Sequence, residues 1–141
     1  MHPKSALCRL VGVGDPRFHR LAVHVYTNLD KHLSLAQAAD IVGLERTYFS
    51  RVFRRVTGLK FSNWIRAVRI EKAREILATS RMKIMSVALT VGYRDLTTFE
   101  RAFKQCNGIS PRNYREFLEH MTDRPGLRAI NHSSADVRPG G

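Results

Sequence analysis

Apolar residues recur every three or four positions along most of this chain, the spacing of one helix face, and no stretch alternates as a strand would. Residues 1–14 carry no sustained period and read as a flexible lead-in. Asp15 then pairs a capping side chain with Pro16, whose missing N–H costs nothing at that place. Phe18, Leu21, Ala22, Val25 and Leu29 predict a helix over 16–32. Ser34 and Gln37 form a capping box for a short helix over 35–42, stopped by Gly43. The next pattern predicts 45–57, ended by Gly58. A longer run assigns Phe61, Trp64, Ile65, Val68, Ala73, Ile76 and Leu77 to one side of a helix over 61–79. Arg66, Arg69, Lys72 and Arg74 interrupt it with charge, and Glu71 and Glu75 are available partners. After a break at 79–83 come helices over 84–91, ended by Gly92, and over 95–107, capped by Asp95 and ended by Gly108. Ser110 and Pro111 open a seventh, closing near His120. Residues 121–141 read as a disordered polar tail. The expected fold class is all-α, with seven helices.

Part of this pattern occurs twice. Ala39, Gly43, Phe49, Phe53 and Gly58 are matched by Ala88, Gly92, Phe99, Phe103 and Gly108. The phenylalanines and final glycines are offset by 50 residues and the earlier marks by 49, so the second copy holds one extra residue before Phe99. Two copies are too few for a solenoid and indicate a duplicated motif. A small residue that lets a second helix pack close, then a glycine in the turn, is the pattern of a helix-turn-helix. In 45–57, Phe49, Val52, Phe53 and Val56 form an apolar stripe, with Thr47, Ser50, Arg51 and Arg54 opposite. In 95–107, Phe99, Ala102, Phe103 and Cys106 lie inside, with Thr97, Thr98, Arg101 and Lys104 outside. Any surface helix has a polar face. Ordinary solvation does not account for two built alike, with short hydroxyls near the start and Arg51 and Arg101 at matching positions. Arginine suits bidentate contact with guanine, and serine or threonine can meet bases or phosphates.

The charge balance sharpens this picture. Lys and Arg outnumber Asp and Glu by 24 to 12, a net charge of +12 in 141 residues. Such an excess favours a polyanionic partner, either nucleic acid or an anionic membrane surface. Cys8 and Cys106 make neither a disulfide framework nor a zinc site, and Cys106 is expected as a buried thiol in a reducing cytosol. No apolar run approaches the ~18 residues of a membrane span, and the first residues lack the apolar core of a secretory signal.

With TYFSRVFRRVTG in the first copy, and Arg69, Ala73 and Leu77 in the long helix, the chain resembles the AraC/XylS-type transcriptional regulators. The second copy adds Gly92, Tyr93, Asp95, Phe99, Arg101, Phe103, Lys104, Gly108, Ser110, Pro111, Tyr114 and Arg115. The resemblance covers about 17–119 and implies a DNA-binding domain over 15–120. Within it, helix-turn-helix units at about 35–58 and 84–108 are joined by the linker helix 61–79. It implies recognition helices in adjacent major-groove turns of double-stranded DNA. Thr47, Ser50, Arg51, Thr97, Thr98 and Arg101 would face bases, and Arg46, Arg54, Arg55 and Lys104 phosphates. A bacterial, cytoplasmic and nucleoid-associated regulator follows, monomeric on DNA, with RNA polymerase as a further candidate partner. Glu45 stands where the family often has a capping serine. Its carboxylate suits the helix dipole but repels a nearby phosphate. Tyr93 replaces a commoner phenylalanine, and there is no room for an effector domain, so a stand-alone member or a fragment is expected.

Other classes are weaker. A non-specific or architectural DNA binder would need only the charge, but not two similar faces. Ser80 and Lys83 make an S-x-x-K without a downstream K-T-G. Glu116 with His120, and His19 with His24, lack a third metal ligand nearby. An alkyl-transfer repair protein would need more cysteines, and a membrane-surface role one strongly basic amphipathic helix. No catalytic residue, metal or cofactor is expected.

Overall fold

The computed structural model describes residues 14–122, so the expected lead-in over 1–13 and the tail beyond 122 lie outside the described residues. Seven helices follow one another: α1 Pro16–Thr27, α2 Leu35–Val42, α3 Arg46–Thr57, α4 Phe61–Thr79, α5 Ile84–Thr90, α6 Leu96–Asn107 and α7 Pro111–Thr122. No strand occurs among the described residues.

Local chemistry accounts for most boundaries. Asp15 accepts from the Arg17 N–H at 2.8 Å to start α1. Ser34 and Gln37 make the reciprocal capping box of α2. The first helix nevertheless stops at Thr27, not 32. Thr27 Oγ1 donates to Val23 O and Asn28 Nδ2 to His24 O, so side chains take the last carbonyls. The chain then turns out of the helix, and Leu29 drops into the core from a loop. The seventh helix runs on to Thr122, two residues past the expected close.

The long helix was expected to be apolar on one side, but it is apolar on two. Phe61, Trp64 and Val68 enter a first core with Phe18, Leu21, Val25, Ala38, Ala39, Val42, Phe49 and Phe53. Ile70, Ala73 and Leu77 enter a second core with Val87, Ala88, Val91, Phe99, Ala102 and Phe103. At 3.6 residues per turn these two sets point about 180° apart around α4. The N-terminal half of α4 thus closes one helix-turn-helix unit and its C-terminal half closes the other. The duplication extends to the rings. Phe49, Phe53 and Trp64 pack at centroid spacings of 5.4 and 5.3 Å, and Phe99, Phe103 and Tyr114 at 5.9 and 5.6 Å. Arg115 on α7 ties the second unit together, donating to Leu77 O, Ser80 O and Met82 O across the break after α4.

Cys106 departs from expectation: it is exposed. α6 extends past Phe103, the last of its buried residues, and Cys106 lies beside Arg66, Glu71 and Arg74. Partial burial still pushes its thiol pKa up.

Candidate nucleic-acid interface

α3 and α6 each begin with an acidic cap. Glu45 accepts from the backbone N–H of Thr47 at 2.9 Å and of Tyr48 at 3.0 Å. Asp95 accepts from the Thr98 N–H at 2.7 Å and the Thr98 hydroxyl at 2.9 Å. These bonds hold both carboxyls below the usual carboxylate range. The carboxylates are thereby turned back onto their own helices. The clash with phosphate that Glu45 threatened in sequence is lessened by this geometry.

Phe49 and Phe53, and Phe99 and Phe103, are fully buried and set the rotation of α3 and α6. Thr47, Ser50, Arg51, Arg54 and Arg55 are consequently exposed on α3, as are Thr97, Thr98, Arg101 and Lys104 on α6. Arg46 is exposed at the first turn of α3. Thr98 stands slightly apart, because its hydroxyl proton already goes to Asp95 and the oxygen can only accept. Two residues escaped the sequence reading. Tyr48 is 52% exposed on α3, and Glu100 is exposed on α6 at the position that matches Ser50. The offset of 50 that pairs Arg51 with Arg101 also pairs Ser50 with Glu100 and Tyr48 with Thr98, and carrying it through every position would have found both.

The two exposed stripes open onto neighbouring hollows. One, of about 660 Å³, is lined on its α3 side by Ser50 and Arg54, by Lys60 just before α4, and on α4 by Ser62, Ile65 and Arg69. The other, of about 280 Å³, is lined on its α6 side by Thr98 and Arg101 and on α4 by Ser62, Ile65, Arg66 and Arg69. Ser62, Ile65 and Arg69 belong to both, so α3 and α6 flank the same side of α4.

Arg69 also sits at the junction of the two units. Its Nη2 donates to Lys31 O at 3.1 Å, and burial draws its pKa down. Gly92 lies against this guanidinium and against Leu29 O with φ +103°, so a Cβ there would meet both. Gly43, at the matching turn of the first unit, also has positive φ but open space around it. The turns share a bond from Leu44 N to Ala39 O at 3.0 Å and from Tyr93 N to Ala88 O at 2.8 Å. The second is longer, because α5 ends at Thr90 and one more residue intervenes.

A family model described as a helix-turn-helix domain matches residues 38–116, more than half of the chain. The chain belongs to the AraC-type helix-turn-helix family. The arabinose operon regulatory protein of Salmonella typhimurium is 37% identical over 90 residues, 64% of this chain and 32% of that protein. This AraC-type chain therefore spans about a third of the length of that regulator. An AraC-type transcriptional regulator from Chromobacterium violaceum superimposes with a TM-score of 0.69 at 24% identity, covering 75% of this chain and 94% of that one. The DNA-binding domain of AdpA, a global transcriptional factor solved in complex with a target DNA, also gives 0.69 at 22% identity, covering 86% and 99%. The AraC-type domain fold is shared with both. Ser80, half of the S-x-x-K, lies in the break after α4 and gives its hydroxyl to Ile76 O. No described helix is long and apolar enough to cross a membrane.

Proposed function

We propose that this chain is a sequence-specific regulator of transcription that places α3 and α6 in adjacent major-groove turns of double-stranded DNA. The observation that carries this reading is that two like-built polar faces border hollows that share Ser62, Ile65 and Arg69 on one side of α4. Thr47, Ser50, Arg51, Thr97, Thr98 and Arg101 meet base edges, and Arg46, Arg54, Arg55 and Lys104 hold phosphates. Glu100 joins the base-facing set, since a carboxylate there accepts from cytosine and repels other edges. The DNA-bound AdpA domain of the same fold supports this reading. The internal duplication does within one chain what a dimer does with two, so one chain occupies one asymmetric site. RNA polymerase is a second partner, met through surface outside α3 and α6. The setting is the cytoplasm of a bacterium, at the nucleoid, and the chain has no catalytic role.

Selection of duplexes from a random pool, then a footprint and sedimentation of the complex, tests this. The expected result is one chain protecting two half-sites about one helical turn apart. Two chains on one short site, protection of a single groove turn, or no selected sequence would overturn it.

A further inference from the structure

We infer that α4 carries a third DNA contact, a backbone-phosphate seat built from Arg66 and Arg69 in the hollow between the two recognition helices. This rests on the double-groove reading above and assigns a role to the surface between the half-sites. The side of α4 shared by both hollows presents Ser62, Ile65 and Arg69, Arg66 lines the smaller one, and neither hollow has a carboxylate in its lining. Taken at 3.6 residues per turn, Glu71 and Glu75 fall on the far side of the helix.

Several cations are held by neutral oxygens, Arg74 by Asn107 Oδ1 and Arg115 by three carbonyls among them, but of these Arg66 and Arg69 line the hollows beside α3 and α6. Elsewhere, Arg17 meets Asp15 at 2.9 Å and Lys72 meets Glu75 at 3.3 Å, so those charges are offset. Arg66 is positioned by neutral oxygens, Asn63 Oδ1 at 2.7 Å and Gln105 Oε1 at 3.2 Å. Among the described residues Arg69 donates to the Lys31 carbonyl, and its buried Nε has no acceptor there. Two guanidinium groups are thus oriented without being neutralised. A phosphodiester is the anion that fits, because DNA engaged by both recognition helices passes its backbone across this hollow. Such a contact adds affinity and sets the spacing of the half-sites while reading no base.

The test uses the full chain and a duplex it has selected. Single uncharged methylphosphonate linkages are walked through the backbone, and binding is measured against salt for the wild type and for Arg66→Gln. One or two linkages between the half-sites should weaken wild-type binding about three- to tenfold. Arg66→Gln should show a similar loss, a salt slope reduced by about 0.9, unchanged base preference, and no further loss at those linkages. Wild-type binding indifferent to every linkage between the half-sites would overturn the seat while leaving the double-groove reading intact. So would losses in Arg66→Gln that add to those of the linkages, or a changed base preference. If Arg66→Gln fails to fold, the wild-type scan still decides. Failure to select any duplex would remove the double-groove reading itself, and the seat with it.

Discussion

Arg51 and Arg101 occupy the same place in two helices, each two residues before a fully buried phenylalanine that fixes its direction. Arg51→Ala should cost about 1–3 kcal/mol on the selected site and relax preference at one or two positions of one half-site. Arg101→Ala should do the same in the other half. Both proteins should melt near the wild type, since exposed substitutions usually stay within about 0.5 kcal/mol. An even loss across all sequences would make these arginines phosphate clamps. The caps make a different prediction. Hydrogen bonds lower the folded pKa of Glu45 and Asp95, so the unfolded chain binds their protons more readily. Their stabilisation is therefore complete above the ordinary carboxylate range and is lost as pH falls through the lowered folded values. Glu45→Ala and Asp95→Ala should melt below the wild type at about pH 7 and converge towards it at about pH 3, as followed by circular dichroism. A gap that persists in acid would mean that the caps act through something other than their charge.

Between elements, the two recognition helices differ more in charge than in shape. Residues 45–57 carry a net +3, whereas 95–107 carry none. Counterion release then assigns most of the salt-dependent affinity to α3. Arg54→Ala with Arg55→Ala should flatten the salt slope on selected and random DNA alike, and an unchanged slope would show those side chains free of phosphate. The helices themselves were legible in sequence because their signals are local: Asp15–Pro16, Ser34 with Gln37, Asp95, and the glycines that end α2, α3 and α6. The misses have tertiary causes. Leu29 continues the period of α1 but reaches the core from a loop. Ile70 fell outside a single assumed stripe because α4 serves two cores. Cys106 keeps the inward spacing of α6 at a turn where that face meets charged residues of α4. The polar stripes of the candidate site were equally legible. The hollow between them was not, since it forms from Ser62, Ile65 and Arg69 only once both units have packed on α4.

For the whole molecule, the junction at Gly92 holds the two units in one arrangement. Gly92→Ala should be the more damaging of the two turn substitutions, losing about 2–4 kcal/mol or failing to fold, because a Cβ there strikes Leu29 O and Arg69 besides being strained. Gly43→Ala, strained but unobstructed, should lose about 1–2 kcal/mol. Equal losses in chemical denaturation would show that the junction is slack. The 19 residues of α4 span about 28 Å, short of the ~34 Å between successive major-groove faces of straight DNA. Bound DNA should therefore curve towards the protein, which a circular-permutation gel or end-to-end energy transfer would register, and a straight complex would contradict. Because opposite sides of α4 hold the two units, the helix also sets their phase. One residue inserted near Val68 would swing the second unit through about 100° and advance it by about 1.5 Å, taking α6 out of its groove while leaving each core intact. The tolerated distance between half-sites is in this sense a property of helical pitch, and relatives that read a different spacing would have to change it by whole turns or by the bend of the DNA.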